Sequence, residues 1–125
     1  IRALLQAAVQ RYPEQRLIAV WQPHTFSRIK ALWDDFVCAF DRADRVLVLP
    51  IYAAREVDDG SVDHRRLADA LRHPFVEAAS SLDDAVGRLR AQVAPGDVVL
   101  LMGAGTEYVV GERLLERLQA EERER

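Results

Sequence analysis

Cysteine, methionine and lysine each occur once in this chain of 125 residues, at Cys38, Met102 and Lys30. A lone cysteine excludes an intrachain disulfide and a cysteine-built zinc cluster, and it suits a reducing, cytoplasmic setting. No apolar run approaches the ~20 residues that span a bilayer, and no signal-peptide pattern is present. An excess of positive charge is missing too. Seventeen basic residues face 20 acidic ones, for a net charge of −3, so the basic footprint of a nucleic-acid binder is not seen. No Gly-Lys pair occurs, which excludes a phosphate-binding loop with its lysine. Repeats, low-complexity segments and linkers are absent. The chain opens Ile1-Arg2-Ala3 without an initiator methionine and reads as part of a longer protein.

What is there is ordinary globular composition, 50% apolar and 30% charged. A single domain of this size buries roughly two-thirds of its unfolded surface. The pattern alternates helix and strand. Residues 2–12 predict a helix, with Leu4, Leu5, Ala8, Val9 and Tyr12 on one face, stopped by Pro13. Leu17 to Trp21 is an unalternating apolar run, the mark of a strand covered on both faces. A helix is expected over 26–40, its stripe formed by Phe26, Ile29, Trp33, Phe36, Val37 and Phe40, with Thr25 or Ser27 as cap. Strands follow at 46–49 and 98–102, and a short one at 75–78. Further helices are predicted over 62–72, from Leu82 to Val93 behind a capping box at Ser81-Leu82-Asp83-Asp84, and around Val110 to Leu118. The charged tail 121–125 is expected to fray.

Helices between apolar strands imply an α/β fold, parallel pairing and helices on both sheet faces. Ligand sites of such sheets lie beyond the carboxyl ends of the strands, here the loops 22–28, 50–61 and 103–107. Pro23-His24-Thr25-Phe26-Ser27-Arg28 is the richest polar stretch. His24 and Arg28 are four residues apart and can face one cleft. Arginine grips a carboxylate or phosphate with a planar fork, and an anion would relieve a cation at a helix start. A solvated arginine and a capping histidine fit the same spacing. Gly103-Ala104-Gly105 leaves a strand and enters a helix, a turn that can offer amides to an anion. It matches only the start of a dinucleotide fingerprint, since Tyr108 replaces the third glycine. Tyr52 to Glu56 lie in the loop after the second strand, with Arg55 and Glu56 as substrate contacts or as a solvated pair. His64 and His73 lack metal-ligand spacing and read as surface residues; no metal site is expected. Cys38 reads as packing.

Taken together, Trp21-Gln22-Pro23-His24-Thr25-Phe26-Ser27-Arg28 with Lys30 to Phe36, then Ala43-Asp44, Ile51 to Glu56 and Met102 to Gly105, resemble the carboxy-terminal domain of the Mur ligases. The likeness is strongest to the members that join L-alanine to UDP-N-acetylmuramate, and it covers essentially the whole chain. It implies that residues 1–125 are a Rossmann-like three-layer domain with a mostly parallel sheet, lacking its first strand. This domain would close over the amino-acid and ATP site of a three-domain cytoplasmic enzyme of peptidoglycan synthesis. The amino-terminal and central domains would then be its partners, and ATP and Mg2+ would be bound mainly by the central one. By the same resemblance His24, Thr25 and Arg28 are substrate-binding, with Arg28 on the alanine carboxylate. Tyr52, Glu56, Gly103, Ala104 and Gly105 lie near the nucleotide or another anion, and none of these residues is catalytic. Thr25 stands where some relatives carry a second arginine, and Thr106 where an acidic residue is frequent. The chain alone is expected to lack ligase activity. Two other readings remain: a ligase of the same family with another amino acid or a peptide, and a non-catalytic α/β module that binds an anion.

Overall fold

A computed structural model describes residues 1–125. Four strands, β1 (Leu17–Trp21), β2 (Arg45–Val48), β3 (Val76–Ala78) and β4 (Val98–Met102), form one sheet in the order β3-β2-β1-β4. Every pairing is parallel. The alternating helices thus act as the crossovers that parallel strands require.

The helices are α1 (Arg2–Arg11), α2 (Phe26–Ala31), α3 (Trp33–Val37), α4 (His64–Ala70), α5 (Leu82–Gln92) and α6 (Glu107–Arg123). The pleat sorts the strand side chains between two cores. Leu17, Ala19 and Trp21 pack with Leu5, Ile29, Phe40 and Leu67 on one face. Ile18 and Val20 pack with Val86, Leu89, Val110 and Leu114 on the other. All five residues of β1 are therefore buried, as its unalternating run predicts. Trp21 anchors the first core, its ring 4.9 Å from Phe36 and 5.0 Å from Phe40. Each large side chain so buried stabilises the fold by about 1.5–3 kcal/mol.

Four expectations need correction. The helix expected over 26–40 is two short helices. Leu32, at φ −113° and ψ 19°, breaks the helical path, and neither proline nor glycine marks the place in the sequence. The tail does not fray at 121: α6 runs to Arg123, its last turns held by Glu121, which pairs with Arg90 and Arg117. Asp84 does not complete a capping box on Ser81. Ser81 Oγ accepts from Asp84 N at 3.0 Å, but the Asp84 carboxylate reaches Ser80 N instead, at 2.8 Å. His64 and His73 are not free surface residues. Each ring Nε2 lies 2.6 Å from a carbonyl, Ala79 O and Ala43 O respectively. A carbonyl only accepts, so each Nε2 carries the proton; His64 ties α4 to the end of β3, and His73 ties the segment after α4 to the loop before β2.

Candidate functional site

The carboxyl ends of β1, β2 and β4 deliver three loops to one rim. Past β1 and β2 the chain continues as a short parallel bridge between His24 and Tyr52. Tyr52 N donates to Pro23 O and Thr25 N donates to Tyr52 O, both at 2.8 Å. The Tyr52 ring stacks on the His24 imidazole with centroids 5.5 Å apart. Its other neighbour is Gly105, where a Cβ would lie 2.6 Å from Tyr52 Cγ and 2.7 Å from Gln22 Oε1. Glycine at 105 is thus demanded by close approach. At Gly103, φ is +154° and a Cβ would meet Glu107 Oε2 at 2.9 Å.

His24, Arg28, Gly103 and Ala104 line one open cleft of about 450 Å³, floored by Trp21 and Met102. Four of the residues predicted for the site are therefore together. Arg28 forms none of the ion pairs within the chain. Its fork is free for an anion in the cleft. The helix-dipole argument contributes little, because α2 has only six residues and Arg28, its third, lies near the middle.

Thr25, Gly105, Tyr52 and Glu56 stand behind this wall. Thr25 is the N-cap of α2, its Oγ1 accepting weakly from Arg28 N at 3.4 Å. Its φ of 60° is unusual for a β-branched residue. Glu56 is not directed at the cleft. Its carboxylate accepts from Ser27 N at 3.0 Å and from Ser27 Oγ. The Ser27 hydroxyl and then its amide hold the Glu56 carboxyl below the usual carboxylate range.

The glycine turn is already occupied from within. Gly105 N donates to Glu107 Oε2 at 3.0 Å, and Thr106 N donates to Gln22 Oε1 at 2.6 Å. Sequence reasoning assigned no role to either acceptor. Gln22 carried one available signal: an amide side chain directly after a wholly apolar strand must find buried partners. Glu107 carried none beyond its place in a first helical turn.

No group of three or more His, Cys, Asp or Glu side chains is placed to hold a metal ion. Glu56 and Glu107, the carboxylates beside the rim, are engaged by Ser27 and by the glycine turn. The donor set therefore does not fit magnesium. No helix is long and apolar enough to cross a membrane.

The fold and rim define a parallel α/β domain with an open cleft at its carboxyl edge that His24, Arg28 and the glycine turn share. Residues 1–105 match the family model described as Mur ligase, glutamate ligase domain, and the chain belongs to that family. It is 46% identical over 118 residues to a UDP-N-acetylmuramate–L-alanine ligase from Caldanaerobacter subterraneus subsp. tengcongensis, covering 93% of this chain and 25% of that protein. Proteins of the same name from Roseiflexus sp. (strain RS-1) and Clostridium novyi are each 42% identical over 118 residues, with 94% and 93% of this chain covered. The chain thus spans about a quarter of the length of these relatives, 25% and 26% in the latter two. A crystal structure of a domain from a Haemophilus ducreyi protein, described as a putative UDP-N-acetylmuramate:L-alanyl-γ-D-glutamyl-meso-diaminopimelate ligase, superposes with a TM-score of 0.65. It covers 94% of this chain and 80% of its own, at 23% identity, and bears on the fold.

Proposed function

We propose that residues 1–125 are the carboxy-terminal domain of an ATP-dependent ligase that joins L-alanine to UDP-N-acetylmuramate in cytoplasmic peptidoglycan synthesis. The observation that carries the reading is the unpaired Arg28 guanidinium sharing a cleft with His24 and the Gly103–Ala104 backbone. The relatives' shared name supports the choice of substrates. Arg28 binds the carboxylate of the incoming amino acid. His24, held by its stack on Tyr52, borders the same space and orients the amino group. This chain contributes binding and the exclusion of water; its cleft presents no nucleophile. ATP serves the whole enzyme by activating the sugar-acid carboxylate as an acyl phosphate for attack by the amine. On this reading the triphosphate and magnesium are held mainly by the central domain, outside this chain; the sequence here has no Gly-Lys loop to cradle phosphates, which agrees with that division.

The test is amino-acid-dependent phosphate release by the full-length enzyme, compared across alanine, glycine, serine and a tripeptide. Alanine should be preferred, and the isolated chain should release none. In the full-length enzyme Arg28→Ala should raise the alanine KM. Loss of one charge-assisted contact costs about 1.5–3 kcal/mol, on the order of tenfold to a hundredfold. An unchanged alanine KM removes Arg28 from the site.

A further inference from the structure

We infer that Gln22 is a positioning residue that fixes the shape of the amino-acid cleft, an inference that rests on the proposed roles of Arg28 and His24. Gln22 is the one buried polar side chain of the protein, 4% exposed. A buried amide is costly unless its donors and its oxygen are satisfied. The partners of Gln22 come from loops other than its own. Nε2 donates to Pro50 O at 3.3 Å, in the loop after β2, and to Thr106 Oγ1 at 3.0 Å, after β4. Oε1 accepts from Thr106 N at 2.6 Å. Its own backbone continues β1 and donates to Met102 O at 2.9 Å. A single side chain therefore joins the loops that leave the three neighbouring strands β2, β1 and β4.

The consequence for the cleft follows from what stands against it. Thr106 directly follows the glycine turn whose Gly103 and Ala104 line the same cleft as Arg28. Gly105 is pressed between Gln22 Oε1 and the Tyr52 ring, and Tyr52 stacks on His24. Release of Thr106 from Gln22 moves the glycine wall and, through Tyr52, the imidazole. Arg28 sits on α2 and makes no hydrogen bond to Gln22 or Thr106; it is linked to Tyr52 less directly, through its amide on Thr25 Oγ1 and Thr25 N on Tyr52 O, so the placing of the glycine turn relative to Arg28 is the quantity that Gln22 sets.

The full-length ligase carrying Gln22→Leu tests this, with Thr106→Val, Thr106→Ser and Arg28→Ala beside it. Displacement of a substrate-orienting group by a fraction of an ångström to 1 Å reaches a hundredfold in rate. Gln22→Leu is expected to raise the amino-acid KM by about tenfold or more, with the KM for the UDP-sugar unchanged. Thr106→Val should show a smaller rise in the same constant, and Thr106→Ser, which restores the hydroxyl, should recover it. A folded Gln22→Leu enzyme with wild-type amino-acid constants overturns the inference. So does a loss shared equally by all substrates, which is what general destabilisation gives. If Gln22→Leu does not fold, the Thr106 pair decides: equal behaviour of Val and Ser overturns the inference. Arg28→Ala separates the two levels. If it leaves the amino-acid KM unchanged, the site reading itself has failed; if it raises that KM while Gln22→Leu does not, only the positioning role has.

Discussion

The carboxylate of Glu56 reaches back across 29 residues to Ser27 and holds the first turn of α2 by its amide and its hydroxyl. The loop after β2 is thereby strapped to the helix that carries Arg28, and a pair between Lys30 and Asp59 at 2.9 Å adds a second strap. The Ser27 bonds favour the charged carboxylate, so the folded-state pKa of Glu56 lies below its ordinary 4.5. A depressed folded pKa gives a contribution that is complete above the unfolded value. It is lost as pH falls through the folded one. Amide exchange at Ser27 and in 51–61, corrected for intrinsic chemistry, should stay slow from neutral pH to about 4.5 and quicken below it. Glu56→Gln should be looser at neutral pH and show no such step. An equal acid step in both proteins would assign the loosening to another group.

At the opposite end of the sheet, Asp97 and Arg16 tie the start of β4 to the start of β1. Arg16 Nε and Nη2 meet the two Asp97 oxygens at 3.2 and 2.6 Å, and Ala94 N donates to Oδ2 at 2.8 Å. The Asp97 side chain is 9% exposed and that of Arg16 36%. Partial exposure of the arginine holds the net effect down, so Asp97→Ala should cost about 1–2 kcal/mol by denaturant unfolding. The Arg16 bonds, above all, hold the Asp97 carboxyl below its ordinary 3.8. The difference between wild type and variant should therefore be constant from neutral pH down to about 3.8 and shrink below it. A difference that grows on acidification would contradict the assignment.

The layered fold was legible in the sequence because unalternating apolar runs set between helices leave few alternatives. The two faces of β1 and the location of the site loops follow from that pattern directly. Arg28, His24, Gly103 and Ala104 were legible as a group because parallel sheets bring their carboxyl-end loops to one rim. The partners of Glu56, Gln22 and Glu107 were not. Each depends on a contact between loops far apart in the chain, or on a turn whose strain only coordinates show. The break at Leu32 was hidden for the related reason that an ordinary residue adopts a non-helical ψ without a proline or glycine to announce it.

Two glycines separate backbone crowding from side-chain crowding. A Cβ at Gly105 would meet Tyr52 Cγ at 2.6 Å and Gln22 Oε1 at 2.7 Å, atoms fixed by stacking and by hydrogen bonds. A Cβ at Gly111, within α6, would meet Leu101 Cδ1, the far end of a half-buried side chain that can turn about its own bonds. Gly105→Ala should destabilise by about 1–3 kcal/mol, the usual cost of overpacking. Gly111→Ala gains about 1 kcal/mol of helix propensity against the cost of moving Leu101, and should lie near neutral. Thermal unfolding of the two variants checks the order. A Gly105→Ala protein as stable as wild type would show that the Tyr52 ring is not held where the stack with His24 places it.

Thr25, between His24 and the helix that carries Arg28, has strained backbone. Its φ of 60° and ψ of 143° bring a β-branched side chain into a region where only glycine is at ease. The Tyr52 bridge enforces this, since Thr25 N donates to Tyr52 O at 2.8 Å. Such strain costs of order 1–3 kcal/mol and persists only where neighbours over-determine the conformation. In return the hydroxyl gives a weak cap, at 3.4 Å from Arg28 N. Thr25→Ala loses the cap and keeps the strain, and should be less stable than wild type by about 0.5–1 kcal/mol. Thr25→Gly loses the same cap but sheds the Cβ clash, partly offset by the freedom that glycine adds to the unfolded chain. The glycine variant should therefore melt above the alanine variant. The reverse order would mean that the strain at Thr25 is smaller than the entropy of one glycine, and that the Tyr52 bridge does not work against the backbone it holds.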